Sequence, residues 1–218
     1  FFRSWHAGYA VQEAAAQSGQ ASQHSLQFFN AQGLAIHKVF ARAATDLTAW
    51  NALVARFADP LAAPAVFAAA PPPKPLRPDS EIDVAALAAD WAAMQDTHEF
   101  FTLLQRHGVE RQQSFRLVEG SFAQRVPCTA VWRLLAEAAV DGTPIMVFVG
   151  SGGCIQIHSG PVQRVEPMVR GDVRWLNVLD PGFNLHLRED LIDSVWVVEK
   201  PTVDGIVTSV EVFDAQSE

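Results

Sequence analysis

Cysteine is scarce. The 218-residue chain holds only Cys128 and Cys154 and has no CxxC pair. That pattern argues against a zinc knuckle or a disulfide framework and suits two free thiols in a reducing compartment. Basic charge is short as well: 16 Lys and Arg stand against 24 Asp and Glu, a formal net charge of -8. A duplex-binding domain would carry a basic face, and an anionic membrane surface would select one, so the balance speaks against both partners. No apolar run reaches the roughly 18 residues of a bilayer span. Nothing at the start reads as a signal peptide, and no Met opens the chain. It begins Phe1-Phe2-Arg3-Ser4-Trp5, as if a strand were already under way, so further sequence is expected upstream.

Apolar residues make up 49% and charged residues 18%, enough to bury a core in one large domain or two modest ones. Residues 1–60 read as β-prone at first, with loop composition over 17–22. Strands at 25–29 and 34–40 flank the turn Asn30-Ala31-Gln32-Gly33. A helix capped by Thr45 or Asp46 follows, with Leu47, Trp50, Leu53, Val54 and Phe57 at helical spacing. Residues 61–79 are an Ala/Pro-rich linker, extended because Pro71-Pro72-Pro73 and Pro75 exclude a helix interior.

Residues 80–218 open on Ser80-Glu81-Ile82-Asp83, a capping-box pattern. Val84, Leu87, Trp91, Met94, His98 and Phe101 then recur at steps of three and four, one apolar stripe of a helix or helix pair. A second helix is expected over 130–139. Beyond it the chain is β-rich: 144–149 and 154–158 flank the turn Gly150-Ser151-Gly152-Gly153, and strands follow at 175–179, 183–187, 195–198 and 207–213. Helices followed by a strand meander argue α+β. A sparse internal repeat runs through the chain. Gly8-Tyr9-Ala10-Val11 resembles Gly182-Phe183-Asn184-Leu185. In the same order, Ser25-Leu26, Gly33 and Val39-Phe40 resemble Ser194-Val195, Gly205 and Val212-Phe213.

His98, in Asp96-Thr97-His98-Glu99-Phe100-Phe101, is the leading chemical candidate. A neutral imidazole on an apolar groove is a haem-iron ligand, and Arg106 and Arg111 follow at distances that suit the two propionates. From spacing alone the residues also allow, and more often mean, a core histidine bonded to a neighbour. His158 and His186 read as half-exposed strand histidines, and no ligand spacing joins them with Cys154 into a metal site. His6 and His37 carry no assignment. The glycines at 150–153 lie between strands, where a turn rather than a phosphate cradle is expected, and Ser151 lacks a nucleophile elbow. Asp180, Glu189, Asp190 and Asp193 read as solvated turn charges.

The stretch Asp96 to Phe101 with Gly108-Val109-Glu110-Arg111 resembles the ligand-bearing helix of haemin-degrading factors of the HemS/ChuX type. Val147 to Gly150 with Gly153 to Gly160, Trp175 to Arg188, and Val195 to Thr202 with Asp204-Gly205 are similar to further blocks of that family. Trp5 to Tyr9 and Ala35 to Phe40 resemble the end of its first repeat.

The resemblance implies an α+β tandem repeat, with helices packed on large antiparallel sheets and one haem between the halves. Residues 1–60 would be the end of the first repeat and 80–218 the second. It implies a cytoplasmic haem-binding protein of bacterial iron acquisition, with His98 as the iron ligand and Arg111 and Lys200 as propionate contacts. An inner-membrane importer would be the haem donor, and a haem oxygenase or reductase a further partner. Haem degradation is the alternative activity, and a non-haem module the remote one. The family's distal arginine would precede Phe1 and further propionate contacts would follow Glu218. The chain is therefore expected to be a fragment, a self-associated or proteolysed form with its cut sheet edges covered by a neighbour, that binds haem more weakly than the full-length protein.

Overall fold

The computed structural model describes residues 2–14, 22–73 and 75–217; most of the loop expected over 17–22, and Lys74 of the linker, lie outside them. The chain order begins with β1 (Ala7–Glu13), β2 (Gln23–Phe29), β3 (Ala35–Phe40) and α1 (Leu47–Phe57). Next come α2 (Val84–Ala92), α3 (Glu99–His107), α4 (Arg111–Leu117), β4 (Ala123–Val126) and α5 (Ala130–Asp141). The remaining strands are β5 (Ile145–Gly150), β6 (Ile155–Gly160), β7 (Val165–Arg170), β8 (Val173–Asp180), β9 (Phe183–Arg188), β10 (Ser194–Thr202) and β11 (Gly205–Phe213). The sheets run β1-β2-β3, β11-β10-β4, β5-β6 and β7-β8-β9, so the fold is α+β. The helix α4 and the strands β4 and β7 had no sequence expectation; all three are short, and α4 is polar.

Two compact units divide the chain: 1–72 with 146–158, and 73–145 with 159–218. The break at 72/73 falls inside the expected linker, and the β5-β6 hairpin belongs with the first unit. Its turn is pinned there. The Trp5 indole N–H donates to Gly153 O at 2.8 Å, and the Ser151 hydroxyl donates to Ile36 O at 2.6 Å. A Cβ on Gly153 would lie 2.8 Å from Ile36 Cγ2, so only glycine lets the turn approach β3 this closely. Part of the linker docks on the same unit. Ala68 N–H donates to Ala31 O, and the Phe67 ring lies 5.9 Å from that of His6. Asp46 caps α1 by accepting from Thr48 and Ala49 N–H.

In the second unit, α2, α3 and α4 pack on β10 around Trp91, Phe100, Phe115 and Trp196. The helix α5 lays Val131, Leu135 and Ala138 against Leu176 and Val178 of β8, while Leu134, expected on that side, is 39% exposed. Asp83, not Ser80, caps α2, and residues 79–81 form a 3-10 turn ahead of it; the capping box forms instead between Glu110 and Gln113.

The internal repeat is visible in the register. Ser25 pairs with Phe40 and Leu26 with Val39; Ser194 pairs with Phe213 and Val195 with Val212. Both serines are buried. The match ends at the preceding strand: β1 pairs with β2, whereas β9 pairs with β8.

Candidate functional site

The apolar stripe expected to run from Val84 to Phe101 stops at Met94. The chain turns a corner over 93–98, α3 starts afresh at Glu99, and the neighbouring aromatic, Phe100, goes inside while Phe101 stays 66% exposed. His98 therefore sits on the corner, its side chain 93% exposed, rather than in an apolar stripe. Asp96 shapes that corner. Its Oδ1 accepts from the His98 backbone N–H at 2.8 Å and from the His98 ring at Nδ1 at 2.7 Å. These bonds, the backbone one first, hold the Asp96 carboxyl below the usual aspartate range. A carboxylate only accepts, so Nδ1 is the donor in this bond, and in the neutral ring Nε2 is the nitrogen left with its lone pair. Among the described residues nothing hydrogen-bonds Nε2. That is the donor state a haem iron takes.

Arg111 is the first residue of α4, placed by the Glu110 cap. A cation is unfavourable at a helix N-terminus, and Glu211 of β11 offsets it. Arg111 Nε and Nη2 donate to Glu211 at 2.6 and 2.9 Å in a two-pronged pair. Lys200 Nζ donates to the same carboxylate at 2.7 Å and to Ser209 Oγ at 3.2 Å. The β10-β11 register puts Trp196 opposite Glu211 and Val198 opposite Ser209, so alternation places Lys200 on the helix-covered face too. Its side chain is 7% exposed, whereas Arg111 is 41% exposed. Both cations lie over Phe100: Arg111 Cζ at 5.0 Å and Lys200 Nζ at 4.9 Å from the ring centroid.

Burial raises the Glu211 carboxyl, but Arg111 and Lys200 more than reverse this and hold it below the usual range. Burial lowers the Lys200 ammonium, against the pull of Glu211. A carboxyl depressed in the folded state gives stability that is complete above its unfolded value and lost as pH falls through the folded one. Glu211→Gln is expected to cost about 3 kcal/mol at neutral pH, the low end for a broken buried pair because Arg111 is partly exposed. Urea unfolding of both proteins across pH should show the gap closing below the ordinary glutamate value of 4.5. A gap that stays constant into acid would refute the ion pairing.

The other candidates fall elsewhere. Arg106 and His107 both bind Asp90, at 2.9 Å each, and the His107 ring is 12% exposed. His186 Nδ1 is 2.6 Å from Asn177 Oδ1. Cys154 Sγ lies 3.7 Å from His37 Nδ1. Among the described residues no group of three or more His, Cys, Asp or Glu could hold a metal ion. Asp180 is not a solvated turn charge: it is 9% exposed and accepts from Gln163 and Arg164 N–H. Glu189 pairs with Arg174, and Asp190 with Arg188. Asp96 and Glu211 were missed from the sequence. Asp96 carried a local signal, an aspartate two residues before a turn histidine; Glu211 carried none.

Residues 1–57 and 108–218 match the family model of the haemin-degrading HemS.ChuX domain. Residues 58–107, His98 among them, lie between the matched spans, while full-length relatives align through them. The hemin transport protein HemS of Yersinia enterocolitica is 38% identical over 224 residues, covering 99% of this chain and 60% of the relative. The crystal structure of holo-PhuS, a heme-binding protein from Pseudomonas aeruginosa, superposes with a TM-score of 0.90 at 44% identity, over 99% of this chain and 60% of that one. That of ChuS, described as an E. coli heme oxygenase, gives 0.84 at 40% identity, over 100% and 62%. The chain thus spans about three-fifths of the length of these relatives. Among the described residues no helix is long and apolar enough to cross a membrane.

Proposed function

The chain belongs to the haemin-degrading HemS.ChuX family, and from that premise we propose that it binds haem, with His98 as the iron ligand through Nε2. One observation carries the reading: an exposed imidazole whose Nδ1 is tied to Asp96 at 2.7 Å, leaving Nε2 as the donor. Arg111 contacts a propionate, using the N–H groups not engaged by Glu211. Lys200 is buried on Glu211, so its charge supports the propionate through the Glu211–Arg111 pair. The protein works in the cytoplasm as a haem carrier of bacterial iron acquisition. It takes haem from an inner-membrane importer and hands it to an oxygenase or reductase. Relatives described as hemin transport and heme-binding proteins support this.

Haemin titrated into the protein should give a histidine-ligated Soret band at one equivalent. Arg111→Ala removes a charge-assisted bond worth roughly 1.5–3 kcal/mol, so haemin affinity should fall roughly ten- to a hundredfold, with the coordination spectrum unchanged. Haem dimethyl ester, which lacks the carboxylates, should be insensitive to the substitution. An equal response of ester and haemin would remove Arg111 from the propionates.

A second reading is oxidative opening of the porphyrin with release of iron, favoured by the likeness to a structure described as a heme oxygenase. Product analysis with a physiological reductant and catalase separates the two. Biliverdin-type products support the enzyme, and unchanged haem supports the carrier.

A further inference from the structure

We propose that Asp96 is a positioning residue for His98: it fixes the tautomer and aim of the ring and strengthens Nε2 as an iron donor. The inference rests on the reading of His98 as the haem ligand. It is carried by the way a single oxygen is used. Asp96 Oδ1 accepts from the His98 main-chain N–H at 2.8 Å and from ring Nδ1 at 2.7 Å. The first bond ties the carboxylate to the backbone, and the second ties the ring to the carboxylate. A side chain that is 93% exposed is thereby held in one orientation without packing.

The corner itself is anchored. Val203 N–H donates to Gln95 O at 3.0 Å, Glu99 N–H to Asp96 O at 3.1 Å and Phe100 N–H to Thr97 O at 3.2 Å. Gln95 N–H donates to Glu99 Oε2 at 3.4 Å, closing the turn on its other side. The carboxylate is thus carried on a braced loop that leads into α3, and Phe100 on that helix is buried in the core.

His107 provides the contrast within the same helix. It too meets an aspartate, but through Nε2 on Asp90 and with a ring only 12% exposed. The same residue pair, turned the other way, makes a structural contact. At His98 the carboxylate takes Nδ1 and leaves Nε2, the nitrogen farther from the backbone, directed away. An imidazole that donates Nδ1–H to a carboxylate is more electron-rich at Nε2 and binds iron more strongly, and such outer partners typically contribute ten- to a hundredfold in metal affinity.

The test separates positioning from turn formation. Asp96→Asn keeps an oxygen that can accept the backbone N–H, but it is a weaker acceptor for the ring. Asp96→Ala removes both bonds. In the full-length protein loaded with haemin, both variants should move the iron–histidine stretch to lower wavenumber by resonance Raman and raise the midpoint potential. Haemin affinity should drop about ten- to a hundredfold for the alanine variant and less for asparagine. In the haem-free protein, nitrogen NMR should find His98 protonated at Nδ1 in the wild type and mixed between nitrogens in the alanine variant. A wild-type stretch and potential in both variants, with wild-type melting, would overturn the assignment. Its failure is distinct from failure of the ligand itself: in that case His98→Ala would retain the histidine-ligated spectrum.

Discussion

Alanine at position 98 is expected to abolish the histidine-ligated Soret band of the haemin complex. The adjoining helix α3 offers no stand-in. His107 is enclosed, and its Nε2 is committed to Asp90 at 2.9 Å. Recruiting it would break that pair and expose a ring that is now 12% exposed. Exogenous imidazole should restore a low-intensity version of the band by occupying the space the side chain leaves. Absorption spectra of both proteins with one equivalent of haemin decide the matter. A band unchanged in position and affinity would show that His98 is not the ligand.

Phe115→Ala should cost about 3–5 kcal/mol of stability, the usual cost of emptying a buried aromatic site. Phe115 is 0% exposed, and four aromatic rings surround it. Trp91, Phe100 and Trp196 have centroids 6.1 Å away, and Phe213 lies at 6.0 Å. Rings joined to several neighbours cannot all shift into the space, so little of the cavity collapses. Arg111 Cζ also stands 5.8 Å over the Phe115 ring, so the loss should reach the cation cluster as well. Urea unfolding measures it directly, and Phe115→Leu should lose less than half as much. A loss below roughly 1 kcal/mol for alanine would mean that the cluster relaxes freely.

Much of the fold was legible because its signals are local. Asp46 ahead of a helically spaced run gave α1, and glycines between apolar runs gave the β5-β6 turn. The scattered serine and valine-phenylalanine identities proved to be matched register positions, Ser25 with Phe40 and Ser194 with Phe213. Spacing misled where residue type continued through a change of backbone. From Val84 to Phe101 the steps of three and four persist, yet Asp96 turns the chain before His98. Two adjacent phenylalanines cannot be told apart by pattern, and the inner one proved to be Phe100. The Arg111–Glu211 pair was invisible because its partners are 100 residues apart and meet only once β10 and β11 are paired. The repeat relation helps here: by register, Lys38 occupies the place of Glu211 in the earlier copy, so that copy cannot form the same cluster.

The closeness of Gly153 to Ile36 also bears on the order in which the chain is made. Strand β3 leaves the ribosome more than a hundred residues before the turn that covers it. At ordinary elongation rates, residues 73–158 take roughly 4–17 s to synthesise. Over that interval Ile36 and Trp5 lack the hairpin that will cap them. Formation of the first unit is thus timed by a segment from the other side of the linker, and a long-range closure of this kind is slow compared with helix formation nearby. A chain halted before position 146 should therefore present β3 uncovered to chaperones and proteases, while a chain halted after 158 should not.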